Sequence, residues 1–452
     1  MNDSLDTIRS GEPDVIVIGA GIAGLSAALT ATRAGYRTLV LDAHTAGGRA
    51  RTMHLDGFAH NIGPHALYRS GHLHDLLARH AITMPGRKPD ATHVRLLRDG
   101  VLTPVTMKPT DLLRTSLLGK RDRLRLMALL ASVQRGKPAS LVGTTVDDWL
   151  GDQPLRVRQF IDMLIRVATY TNAPSTFDAG AALQQLQMAI GTGVDYLDNG
   201  WEAMVAAMIA VIRSRGGEIV TGVQARAVLA DGPSVDVQVG DRVLRASSVV
   251  LASGGPTVVE RLTGARPAGR ENLSPPIVSA TMDLALRRPY EGIVFGLDRP
   301  LYLSPHAPVA RLAPDGHGLV SVMHYLANDV SDTAAAAGVD EAGAGPGWPT
   351  HPEASLRDAD RLEMRALARL SGIDNDDVLH EKYSHRLVVA HGSPTAAGGG
   401  LRGRPTTDAL GIAGVHIAGD WVGPVGLLAD AAAASGEAAA IAAVARIREH
   451  AA

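Results

Sequence analysis

A short apolar run that ends in three spaced glycines sets the start of this chain. Val15 to Ile18 reads as a buried parallel strand, Gly19, Gly21 and Gly24 as the turn out of it, and Ile22 to Ala34 as a helix whose small residues let it lie close to a sheet. Ala20, Ile22 and Ala23 stand between those glycines. A turn of this kind points unpaired N–H groups and the positive end of a helix dipole at an anion, and glycine lets the backbone approach it. The next strand, Arg37 to Leu41, ends in Asp42, followed by Ala43. An acid at that place can accept both hydroxyls of an adenosine ribose and argues against a phosphorylated one. Strand, glycine turn, helix and acid in this order predict dinucleotide binding; the alternative is an empty unit whose glycines serve packing.

Gly47, Gly48 and Arg49 then favour FAD over NAD. An arginine soon after the ribose acid can pair with phosphate or ribityl oxygens of a cofactor stretched across the domain, while the glycines turn the chain beside them. With these residues, with Gly63-Pro64-His65, and with a C-terminal Gly419-Asp420 stretch, the chain resembles the FAD-dependent amine oxidase and phytoene desaturase superfamily. The segment between Asp42 and the glycine pair is a residue shorter than in the amine oxidase branch. The resemblance implies a Rossmann-type α/β fold, with an FAD-binding domain (1–70, 200–262, 395–452) interleaved with a substrate domain of mixed sheet and helices (71–199, 263–394). It also implies that the backbone amide and carbonyl of Val223 hold the adenine. Ala252 ends a strand returning to the sheet, and Asp420 lies at the pyrophosphate or ribityl side. A helix starting near Gly426, with Leu427 and Leu428, faces the pyrimidine edge of the flavin.

Composition narrows the chemistry. There is no cysteine, hence no disulfide framework, no thiolate metal site and no cysteine tether for a flavin, so FAD is expected to be non-covalent. A net charge of −2 and 20% charged residues give no bulk reason to expect nucleic acid. Met1 to Glu12 lacks a basic region followed by an apolar core, and Asp430 and Glu437 break the alanine-rich tail, so a cytoplasmic protein is expected, at most peripheral at a membrane. A basic, leucine-interleaved stretch, 108–137, is read as a solvated helix face, with a membrane surface or a substrate entrance as the alternatives.

Along the chain, Gly71 to His80 predicts a helix, Thr92 to Leu102 a hairpin turning at Asp99-Gly100, and Asp111 to Val133 one or two helices. Thr145 caps a further helix, and Leu155 to Thr169 continues the helical region. Tyr170, Tyr196 and Trp201 form an aromatic group, read equally as packing or as a substrate wall. Glu202 to Arg215 is a helix with one buried face, Glu218 to Thr221 a strand, and 271–330 a mostly antiparallel sheet with alternating polar and apolar positions. Ala334 to Glu353, rich in alanine, glycine and proline, predicts a surface loop.

A flavin takes a hydride at N5 and asks little acid or base chemistry of its protein. His65 is the candidate catalytic residue: the resemblance places Gly63-Pro64 beside the isoalloxazine, and an imidazole can give or take a proton near neutral pH. A role confined to hydrogen-bonding the cofactor is the alternative. His391 and Tyr68 are secondary candidates, and no metal pair or nucleophile triad is evident. Against the monoamine oxidase branch, Leu427 or Leu428 stands where a cage tyrosine is expected, and 277–287 contains no lysine. The expected activity is therefore hydride transfer from a largely apolar small molecule, as in a desaturase or dehydrogenase, with the electron acceptor left open. The rivals are oxidation of a C–N or ring C–H bond in a polar metabolite, and a flavin-binding protein without turnover.

Overall fold

The computed structural model describes residues 12–106, 117–327 and 355–451. Its centre is a five-stranded parallel sheet in the order Glu218–Thr221, Thr38–Asp42, Val15–Ile18, Ser248–Leu251, Val415–Ile417. Every residue of Val15–Ile18 and Ser248–Leu251 is buried, because both faces of the sheet are covered. On one face lie the helices Ile22–Arg33, Trp201–Ser214 and Leu428–Ala451. Their contact depends on small residues: Ala27, Ala28, Ala31, Ala433, Ala439, Ala440 and Ala443 are fully buried, and a Cβ on Gly436 would stand 2.1 Å from the Ala23 carbonyl oxygen. The antiparallel strands Ala225–Asp231, Ser234–Val239 and Arg242–Ala246, with helix Pro256–Thr263, cover the other face.

A second, seven-stranded sheet runs in the order Val378–Ala390, Ile277–Leu286, Gly318–Tyr325, Leu301–Ala307, Ile293–Gly296, Val94–Arg98, Val101–Val105. It is antiparallel except where Ile293–Gly296 meets Val94–Arg98. The helices Lys120–Arg135, Leu155–Thr169 and Ala179–Gly191 pack with its Val94 end around one apolar cluster. The fold is thus α/β, a Rossmann-type parallel sheet joined to a mixed sheet and helices.

The alternation in 277–286 has a different meaning from a core face and a water face, since all ten residues are buried. Ala280, Met282, Leu284 and Leu286 pack on Met364, Leu367 and Ala368 of helix Leu356–Leu370. On the opposite face Ser279 and Thr281 look into a cavity and Asp283 is buried beside Ser321. Polar residues on this strand therefore mark a site rather than solvent.

The loop expected at Ala334 to Glu353 lies outside the described residues, as do Asp111 and most of the first half of the helix expected from it; the described helix is Lys120–Arg135, with Leu126 and Val133 buried. Within the basic stretch, Lys108 and Arg114 are likewise outside them. Contrary to the reading of the tail as too interrupted, Leu428–His450 is long and apolar enough by composition to cross a membrane. Its core residues are nevertheless packed on helix Ile22–Arg33, and the two carboxylates that interrupt it anchor it to helix His72–Arg79. Asp430 accepts the Leu73 N–H at 2.8 Å, and Glu437 takes His72 at 2.8 Å and Arg79 at 2.7 Å.

Burial raises the Asp430 carboxyl to about 6, the Leu73 N–H partly opposing it. The native state thus keeps a proton that the unfolded chain releases from about pH 3.8 upward, so this group costs stability progressively as pH rises from there to about 6, on the order of 3 kcal/mol at the plateau. Asp430→Asn, which keeps an acceptor for Leu73, is expected to melt at higher temperature than the parent at pH 7, with the difference vanishing below pH 4. A pH series of thermal melts checks this.

Candidate functional site

A single cavity of about 930 Å³ runs from the glycine turn of the parallel sheet to the inner face of the mixed sheet. At its nucleotide end the three glycines divide their labour. Gly19 has φ +110°, and a Cβ there would stand 2.7 Å from the Ala252 carbonyl oxygen; on Gly24 it would stand 1.8 Å from the Gly19 carbonyl oxygen. Both are glycine because the backbone is in the way. A Cβ on Gly21 would meet nothing within 4 Å, while one on Gly48 would lie 3.5 Å from the Gly21 Cα. Gly21 and Gly48 therefore border an open lane at the N-terminus of helix Ile22–Arg33, and a diphosphate fits such a lane.

Of the residues expected around a cofactor, Gly19, Gly21, Ile22, Ala23, Asp42, Ala43, Gly48, Arg49, Gly63, Pro64, His65, Val223, Ala252, Gly419, Asp420, Leu427 and Leu428 all line this cavity. Ala20, Gly24 and Gly426 do not; Gly24 lies within the helix against the Gly19 carbonyl, and the other two shape loops. Ala20 donates its N–H to Asp42 Oδ2 at 2.6 Å and accepts the Gly47 N–H at 2.7 Å, which sets the two turns against each other. Gly426 (φ +66°) offers its carbonyl to Arg404.

Two roles differ from expectation. Val223 donates its N–H to the Asp42 carbonyl at 2.8 Å, so the amide expected at an adenine is engaged within the chain. Asp420 is buried and fully engaged by protein: Oδ2 accepts Arg49 at 2.9 Å and the His391 N–H at 3.1 Å, and Oδ1 lies 3.0 Å from His391 Nδ1. Burial alone would raise this carboxyl; Arg49 and His391 hold it well below the usual carboxylate range. Asp420 thus works by aiming Arg49, whose same nitrogen also donates to the Val389 carbonyl at 2.6 Å. Arg404, which nothing in the linear pattern marked, is buried and donates to the carbonyls of Asp420, Val425 and Gly426, fixing the loop before the last helix.

At the other end stands His65, whose ring lies edge-on to Trp201 with centroids 4.7 Å apart. Its Nδ1 is 2.8 Å from the Gly63 carbonyl oxygen. A carbonyl only accepts, so Nδ1 carries the proton and Nε2 is left as the basic nitrogen. Burial lowers its pKa, the Gly63 carbonyl partly opposing, so the ring is neutral at pH 7. Behind it, Lys382 faces Asp283 in the register of the two strands, lies 3.8 Å from it and donates to the Asn61 carbonyl at 3.0 Å. The strand adjoining 277–287 thus carries a lysine, but Lys382 does not line the cavity.

Five of the eight tyrosines, Tyr68, Tyr170, Tyr196, Tyr302 and Tyr325, line the cavity, which makes it the aromatic centre of a chain poor in such residues. Tyr68 and Tyr170 are tied by their hydroxyls to the carbonyls of Ala168 and Pro64, both at 2.8 Å. Burial pushes all five phenols up, Tyr68 to about 12, so they stay neutral. His306 stacks on Tyr196 at 4.2 Å, and burial lowers it to about 4. Among the described residues its Nε2 has no hydrogen-bond partner. Tyr302, His306 and Tyr325 sit on inward positions of strands whose linear pattern resembles that of any core strand, so no local signal marked them.

A sequence model of the flavin containing amine oxidoreductases matches residues 22–444. The chain belongs to the flavin-containing amine oxidoreductase family. Solved structures agree on the fold. An oxidoreductase from Methanosarcina mazei superposes with a TM-score of 0.73 at 19% identity, covering 94% of this chain and 99% of that one. Putrescine oxidase bound to putrescine gives 0.72 at 17%, covering 96% and 99%, and cyclohexylamine oxidase from Brevibacterium oxydans gives 0.70 at 16%, covering 97% and 100%. An L-amino acid oxidase of Crotalus durissus cumanensis is 42% identical over 59 residues, 13% of this chain and 12% of that protein's length. As a member of this family the protein is an FAD-dependent oxidoreductase. The open lane at Gly21 and Gly48, with Asp42 at the end of the second strand and Arg49 beside it, is the part of the cavity that fits the cofactor's diphosphate and ribose.

Proposed function

We propose that this flavin-containing amine oxidoreductase acts as a desaturase or dehydrogenase on a neutral, largely apolar small molecule rather than on an amine. One observation carries the reading: among the described residues, the cavity-lining carboxylates are Asp42, Asp420 and Asp430, all already accepting hydrogen bonds from the protein. Asp42 and Asp420 have both oxygens held by protein groups and Asp430 gives one to the Leu73 N–H, which leaves few anionic positions for an ammonium group, and burying one unpaired would be costly. Leu164, Val167, Ile293, Phe295 and Met323 supply an aliphatic and aromatic surface suited to a hydrocarbon.

Bound FAD supplies a hydride acceptor. The chain's own residues do the rest: the neutral tyrosines hold the substrate and exclude water, Trp201 and the Gly63 carbonyl hold His65, and His65 Nε2 accepts the proton released when a neighbouring C–H is lost. A second reading, a substrate with one polar end, is favoured by His306, whose Nε2 is buried without a partner among the described residues.

Anaerobic mixing tests this. A hydrocarbon of isoprenoid type is expected to bleach the flavin, primary amines are not, and acid precipitation should leave FAD in the supernatant because no cysteine tethers it. Bleaching by simple amines alone would overturn the substrate class; no bleaching by either, in protein that retains FAD, would favour a flavin-binding role without turnover. Extraction and identification of co-purified small molecules gives an independent readout.

A further inference from the structure

We propose that His324, Asp360 and Glu363 form a binding site for one divalent cation, outside the flavin cavity, where helix Leu356–Leu370 packs on the mixed sheet. His324 comes from strand Gly318–Tyr325; Asp360 and Glu363, three residues apart, share one face of the helix. His324 Nδ1 lies 3.0 Å from Asp360 Oδ1 and 3.5 Å from Glu363 Oε2, and the three atoms lie within 4.8 Å of one another. Ligands about 2.1 Å from a tetrahedral ion stand about 3.4 Å apart, so small side-chain shifts would seat one.

The outer oxygens show the same design. His385 Nε2 lies 2.9 Å from Asp360 Oδ2, and Arg299 donates to Glu363 Oε1 at 2.8 Å. Each carboxylate therefore has one oxygen held by a neighbouring protein group and the other turned towards His324, the arrangement by which groups around a metal fix its ligands. His324 Nδ1 faces both carboxylates, 3.0 Å from one and 3.5 Å from the other, so a single ion could replace the proton shared among the three atoms. One nitrogen and two oxygens, with a fourth position for water, suit Zn²⁺ or Mn²⁺. The ion would pin the helix to strand Gly318–Tyr325.

The rival is an imidazolium at His324 paired with both carboxylates, which needs no metal. The full-length flavoprotein, stripped with chelator and dialysed, is titrated with Zn²⁺ by calorimetry, with metal content measured after gel filtration. Co²⁺ serves as a second probe, because its visible absorption reports coordination. One Zn²⁺ per chain, a rise in melting temperature on adding it, and a Co²⁺ spectrum of low symmetry are expected. Asp360→Asn and His324→Gln should each weaken binding at least ten-fold while flavin content stays at the parent level. No stoichiometric binding by the parent protein, or binding unchanged in Asp360→Asn, would overturn the site, and neither result depends on His324→Gln folding.

Discussion

His65→Ala is expected to slow flavin reduction by about a hundred-fold or more while leaving FAD content near that of the parent. The expectation follows from how the ring is held. The Gly63 carbonyl fixes the proton on Nδ1, Trp201 sets the ring plane, and burial keeps the imidazole neutral, so Nε2 is a base at neutral pH. Because its pKa is lowered, the basic form persists below the ordinary histidine range, and the rate should hold steady through neutrality and decline only at more acid pH. His65→Asn separates chemistry from shape: it can keep the bond to Gly63 but offers no base. Stopped-flow reduction of both variants decides. A rate in His65→Ala equal to the parent's would remove the residue from the chemistry, and a parent-like rate in His65→Asn alone would reduce its part to shaping the cavity.

A pair of alanines in the glycine turn should give two different failures. In Gly24→Ala the new methyl would stand 1.8 Å from the Gly19 carbonyl oxygen and 3.2 Å from Val17, and the backbone atom cannot swing away as a side chain could. Strand and helix must separate, at a cost of 1 to 3 kcal/mol for ordinary overpacking and roughly more against backbone; poorly folded, colourless protein is expected. Gly21 has φ −80°, which alanine adopts freely, and its methyl would enter empty space. Gly21→Ala is therefore expected to fold normally and lose FAD, since the methyl occupies the lane beside the diphosphate. Far-UV circular dichroism with the flavin-to-protein absorbance ratio distinguishes the two outcomes. Full FAD in Gly21→Ala would place the diphosphate elsewhere.

The nucleotide end of this site was legible because its constraints are local. A strand, three glycines and Asp42 lie within one stretch of chain, and at Gly19 and Gly24 the surrounding backbone leaves no room for a side chain. The chemical end was not. Tyr302, His306 and Tyr325 come from strands that read as ordinary core, and only the packing of helix Leu356–Leu370 on one face of the mixed sheet reveals that the other face looks into a cavity. Asp420 was found by its Gly-Asp signature, yet its partners Arg49 and His391 are fixed by tertiary contact across the chain, so its part in aiming an arginine could not be read from spacing. Lys382 makes the same point, since its neighbour Asp283 is set by strand register alone.

The order of strands in the parallel sheet bears on how the protein is made. Val15–Ile18 is flanked at once by Thr38–Asp42, but its other neighbour is Ser248–Leu251, and beyond that the sheet closes with Val415–Ile417. Helix Ile22–Arg33 is sealed by Leu428–Ala451. During synthesis the first helix therefore emerges hundreds of residues before the surface that covers it, leaving its apolar face open to chaperones or to other chains. Pairings so distant in sequence are slow to form and prone to aggregation. Yield during expression should therefore respond to chaperone level at chain completion.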